Sequence, residues 1–157
     1  MTDKKLVRRW LSVFGQNVPK EIMDNHVTTD GNHMWHIFTW GNVPCLEGDA
    51  ARAAFDQLQD IEVIQFYGGY DCEIKRVSIR KKRTAKALDR ERYIDIYVVA
   101  KDFSWTYVHT HEPDFGPYFY SKESPATDLS YRRIKQTNEN TNTVKTPVEP
   151  FRADLAK

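Results

Sequence analysis

The stretch from Ile94 to Tyr120, IDIYVVAKDFSWTYVHTHEPDFGPYFY, constrains the fold most tightly. Ile94, Ile96 and Val98 alternate with Asp95, Tyr97 and Val99, a period that suits a strand and not a helix. Lys101-Asp102 supplies a tight acidic turn, and a second alternating run follows it. Trp105, Tyr107, His109 and His111 are expected on one face of that run, with Thr106, Val108, Thr110 and Glu112 on the other. The two runs read as paired strands, with two histidines and a glutamate gathered where the second one ends.

The rest of the chain fits around that pair. Its 157 residues accommodate one domain with a tail. A formal net charge of +1 gives no global field for nucleic acid or membrane, so either partner needs a local patch. Cys45 and Cys72 are too few for a disulfide framework. No apolar run approaches the roughly 20 residues that span a bilayer. The basic N-terminus, MTDKKLVRRWLSVFG, mixes charges into its apolar residues and lacks a signal-peptide core. The expectation is a cytoplasmic protein with no membrane partner.

Leu6, Val7, Trp10, Leu11 and Phe14 recur at helical spacing and predict an amphipathic helix ending at Gly15. Pro19 to Asn32 reads as a short helical segment and a polar loop. His33 to Trp40, HMWHIFTW, is a buried strand or a short helix. A helix is expected from Gly48 to about Leu58, with Asp49 as its cap. Ile61–Tyr67 and Asp71–Ile79 form a hairpin around Gly68-Gly69, and Arg80–Arg92 is basic and partly helical. Thr137–Thr146 is polar, with Val144 its one aliphatic residue. The predicted architecture is α+β: a small, mostly antiparallel sheet packed by the N-terminal helix and one or two others. The domain covers residues 1–122 and a polar, flexible C-terminal arm covers 123–157.

Several motifs carry a resemblance. They are Trp35-His36-Ile37-Phe38-Thr39-Trp40, Cys45-Leu46-Glu47-Gly48, the run from Asp95 through Val108, Thr110-His111-Glu112 and Gly116-Pro117-Tyr118-Phe119. In order and spacing the chain resembles a small bacterial domain-of-unknown-function family found mainly in low-GC Gram-positive bacteria. The resemblance implies one small α+β domain and no assigned activity. It also implies a cysteine ahead of the Gly-Pro-Tyr-Phe motif, where this chain has Phe115, which weakens a cysteine-centred site there. More loosely, a terminal strand ending in Trp…Thr-His-Glu looks like those of small bacterial immunity proteins.

Five constellations are candidates for chemistry. His33 and His36 come from one segment, and His109, His111 and Glu112 from another. His36, His109 and His111 could share zinc or another divalent metal, with Glu112 as the base of a hydrolase. No HExxH or paired CxxC spacing supports a metal, so no cofactor is assigned. A two-histidine phosphoesterase needs two His-x-Thr units, and only His26-Val27-Thr28 fits. Cys45 lies just ahead of a helix start, where the dipole lowers a thiol pKa, yet it suits a core plug equally well. The run Lys75 to Arg92 is rich in Lys and Arg but has no interleaved aromatic. Acids form the fifth set: Glu47, Asp49, Asp95, Asp102, Glu112 and Asp114.

Taken together, the residues fit a non-enzymatic protein-binding module of immunity or inhibitor type, for toxin neutralisation or phage–host conflict. Its expected contact residues are Arg80, Lys81, Lys82 and Arg83 with Trp105, Tyr107, Tyr118 and Tyr120 as anchors, facing an acidic protein partner. The alternative is a metal-dependent phosphoesterase or nuclease whose catalytic candidates are His36, His111 and Glu112. A nucleic-acid or nucleotide binder using the basic segment is the third class.

Overall fold

A computed structural model describes residues 3–27, 33–58, 61–68 and 75–123. Within them the chain runs α1 (Asp3–Phe14), α2 (Lys20–His26), a 3-10 helix (Met34–Gly41), β1 (Leu46–Glu47) and α3 (Gly48–Gln57). Next come β2 (Glu62–Gly68), β3 (Lys75–Lys81), α4 (Ala85–Leu88), β4 (Asp95–Ala100), β5 (Trp105–His109) and β6 (Tyr118–Ser121). The expected C-terminal arm lies outside the described residues, apart from its first residue. So does the polar loop after α2.

The strands form one six-stranded sheet in the order β1-β6-β5-β4-β2-β3, antiparallel at every pairing. The α+β architecture with an antiparallel sheet is therefore present. β4 and β5 pair as the alternation requires, with Tyr97 opposite Val108 and Val98 opposite Tyr107. Asp102 serves the turn, its carboxylate accepting from the backbone N–H of Ser104 at 3.0 Å and its hydroxyl at 2.7 Å. Asp49 does not cap α3. Glu47 occupies the N-cap, and Asp49 pairs with Arg52 within the first turn.

Both faces of the sheet are covered, which decides where the aromatic residues go. On one face, Leu6, Trp10 and Phe14 of α1 and Trp35 and Phe38 of the 3-10 helix pack on Phe66, Tyr97, Val108 and Tyr118. On the other, Phe55 of α3 and Ala85 and Leu88 of α4 pack on Val63, Val98, Trp105, Tyr107 and Phe119. Neither side of β4 is wet, and all six of its residues are buried. Among the described residues no helix is long and apolar enough to cross a membrane.

α1 is fastened by a polar contact as well as by its apolar stripe. Trp10 Nε1 donates to Thr106 Oγ1 at 3.0 Å, and that hydroxyl donates to the Val98 carbonyl at 3.1 Å. Both residues are fully buried. Thr106→Val keeps the volume but leaves the indole N–H without an acceptor, at a cost of about 1–3 kcal/mol. Urea unfolding monitored by tryptophan fluorescence should show that loss as a lowered midpoint with an unchanged slope.

Candidate functional site

The sequence-predicted residues that the structure brings together lie at one end of the sheet, over the 3-10 helix. Asp95 opens β4 opposite Gly68 and shares its face with Tyr97 and Val99. Its carboxylate is 2% exposed. Oδ2 accepts from Trp35 Nε1 at 3.1 Å, and Oδ1 accepts from the His111 backbone N–H at 2.8 Å. His111 Nδ1 lies 2.7 Å from the same Oδ1, so Nδ1–H donates there and Nε2 is directed away. Glu112 Oε1 is 3.7 Å from that Nε2.

His111 reaches Asp95 because the chain leaves β5 just before it. The Thr110 hydroxyl bonds to the Glu112 carbonyl at 2.9 Å and also contacts that of Phe115, which curls the following loop. Gly116 closes this loop at φ +73, where a Cβ would stand 3.2 Å from the Tyr118 ring and 3.3 Å from Thr110. The consequence for the two neighbouring histidines is separation. His109 pairs with Ile96 and shares its face, under α3 and α4, with Nδ1 3.5 Å from Asp89 Oδ1. His109 and His111 therefore do not share a face as the alternation predicts.

The 3-10 helix supplies the rest of the cluster. The backbone is left-handed at two bulky residues, His33 at its N-cap with φ 50 and Trp40 in the kink near its end with φ 54. The His36 ring lies between two indoles, with Trp35 at 4.0 Å and Trp40 at 5.3 Å and within 4° of parallel. His36 Nδ1 sits 3.4 Å from Thr39 Oγ1, whose own proton goes to the His36 carbonyl at 2.8 Å. That hydroxyl can only accept from the ring, which leaves Nε2 as the unprotonated nitrogen. His33 bridges the cluster, its ring centroid 5.7 Å from those of both His36 and His111. His26 adds a fourth imidazole 6.0 Å from His36 and 4.8 Å from Trp40. Phe115 lies against Trp35 at 5.4 Å.

This surface is neutral and aromatic at its centre. Burial, reinforced by His33 and His26, pushes the His36 pKa from 6.5 down to about 4, with Asp95 acting against the shift. Trp40 is 60% exposed and Phe115 36%. Imidazoles with one nitrogen fixed by a carboxylate or hydroxyl are also suited to metal binding. Among the described residues, however, no group of three or more His, Cys, Asp or Glu is placed to hold an ion. The expected trio of His36, His109 and His111 is split by the sheet.

The other candidates fall elsewhere. Cys45 is a poor nucleophile: burial, helped by Glu47, pushes its pKa up to about 12, against the lowering expected from the helix. Trp105, Tyr107 and Tyr118 are core residues and Tyr120 is half-buried against Phe14, so they are not surface anchors. Lys82 lies 4.0 Å over the Phe55 ring and 3.8 Å from Asp56, and Arg83 pairs with Glu91. Only Arg80 and Lys81 of the expected basic contacts are exposed. Trp40, Phe115 and the role of Asp95 were not legible as one site; the signal present was an aspartate inside an otherwise apolar strand.

His36 makes stability depend on pH. Its folded pKa lies below its unfolded value, so between pH 6.5 and about 4 the unfolded chain binds the extra proton. Stability is therefore full above about pH 6.5 and falls as pH drops through this window. His109, also lowered chiefly by burial, acts in the same direction. Urea titrations across the window should show the wild type losing about 1–2 kcal/mol through His36, discounted for the ring's partial exposure. His36→Gln should flatten the slope without abolishing it.

A family model described as a domain of unknown function (DUF4275) matches residues 3–119, nearly the whole described domain. The chain belongs to that family. No curated protein and no solved structure matches it.

Proposed function

We propose that this member of the family is a non-enzymatic protein-binding module of immunity or inhibitor type, working through the surface around Trp40. One observation carries the reading: a tryptophan that is 60% exposed is held in left-handed backbone and stacked on a buried-side imidazole. A bulky residue at positive φ costs folding energy, and such strain is characteristically kept where a contact uses it. An exposed indole and a partly exposed Phe115, both within reach of the His36 ring, have the make-up of an interface hot spot. This replaces Trp105, Tyr107 and Tyr118 as anchors.

A second reading, hydrolysis of a phosphoester, is favoured by the Asp95–His111 pair at 2.7 Å. There His111 Nε2 would take a proton from water, Asp95 would orient the ring, and His36 and Glu112 would line the site.

Capture from source-cell lysate with tagged full-length chain separates the two. The wild type should retain one protein in a discrete ratio, and Trp40→Ser should weaken that retention at least about tenfold while the melting temperature stays unchanged. Equal retention by both chains would remove Trp40 from the interface. Turnover of a chromogenic phosphodiester that His111→Ala abolishes and Trp40→Ser preserves would put the hydrolase in its place.

A further inference from the structure

The outermost strand, β3, and the segment from it to β4 form a second surface with a different chemistry. The acids there are already engaged. Asp56 caps Ala85 N at 2.8 Å and faces Lys82, Asp89 accepts from Arg52 at 2.9 Å, Glu91 holds Arg83, and Glu62 holds Lys101. Arg80, Lys86, Arg90 and Arg92 are exposed, and no described acid pairs with them. Lys81 is exposed too and lies opposite Glu62, whose carboxylate is bonded to Lys101. The Arg83–Glu91 pair and the bond from Arg83 Nη2 to the Ala87 carbonyl at 2.8 Å fold the segment back on itself.

β3 also offers a main-chain edge. It pairs with β2 on one side, and among the described residues no strand pairs with the other. Ile79 is 64% exposed, beside Ile64 on β2. Arg80 pairs with Val63 and faces the α4 side, so Ile79 and Arg80 project to opposite faces. Tyr93, 84% exposed at φ 66, follows Arg92 directly. A polynucleotide would use the cations and one stacking ring, but neither the apolar Ile79 nor the edge. Single-strand binders stack successive bases on several aromatics, and this segment has one.

We propose that β3 is a docking edge for an extended acidic segment of a partner protein, added as a further strand. The alternation on β3 sets the partner's pattern: an apolar side chain on the Ile79 face, which also carries Lys81, and carboxylates on the Arg80 face. Main-chain bonding supplies the seat, and the exposed cations select for acid and speed the encounter.

The test uses the full-length chain and three labelled probes in fluorescence anisotropy at low salt. They are a peptide of about ten residues alternating valine and glutamate, the same composition interrupted by proline, and an oligothymidylate of equal charge. The alternating peptide should bind, weaken about tenfold or more with the proline version, and weaken similarly with Arg80→Glu combined with Arg90→Glu. Ile79→Ser should weaken it without altering its salt dependence. Equal binding of the proline peptide, tighter binding of the oligothymidylate, or no peptide binding at about 1 mM would each overturn the proposal. Trp40→Ser should leave peptide binding unchanged, so the outcome does not depend on the surface around Trp40.

Discussion

Asp95 is 2% exposed, yet its two oxygens accept from Trp35 Nε1, His111 N and His111 Nδ1. A carboxylate removed from water is costly unless its lone pairs are met, and here three N–H groups from two other segments meet them. That requirement ties the 3-10 helix and the loop after β5 to the first residue of β4. The imidazole cluster follows from it. With Trp35 fixed, His36 is pressed between two indoles; with His111 fixed, His33 is flanked by imidazoles on both sides. A carboxamide could not accept from both sides at once, since its N–H₂ would face one of the donors.

The double-sided sheet accounts for most of what the sequence did and did not make legible. Helical spacing of Leu6, Trp10 and Phe14 and the alternation in β4 and β5 identified α1 and the central strands, because both signals come from backbone geometry. The same alternation carried no information about burial. With α1 and the 3-10 helix on one face and α3 and α4 on the other, Trp105 and Tyr107 are core residues, as Tyr97 and Val108 are. Residues that looked like a half-wet rim are core.

The site was partly legible for the same reason. His36, His111 and Glu112 stood out by type, and they do lie on one side of the sheet. Where His111 goes depends on a break in period that no pattern records: His109 keeps the alternation, pairing stops before His111, and the loop held by Thr110 turns His111 toward Asp95. Trp40 looked like core in HMWHIFTW because a short apolar run does not reveal its own helical type. The left-handed backbone that exposes it belongs to the three-dimensional packing. The basic run, in turn, reads as one patch in sequence, but Lys82 and Arg83 point inward and only the outer cations face solvent.

If Asp95 organises this end of the molecule, the proton on His111 has to sit on Nδ1. Nitrogen-15 NMR of imidazole-labelled protein, correlating ring nitrogens with ring protons, reads that directly. The account requires a protonated Nδ1 on His111 whose hydrogen exchanges slowly and shifts far downfield, and whose signal moves in Asp95→Asn while that of His109 does not. A His111 ring protonated on Nε2 alone, or one indifferent to Asp95→Asn, would mean that the carboxylate does not hold the site together.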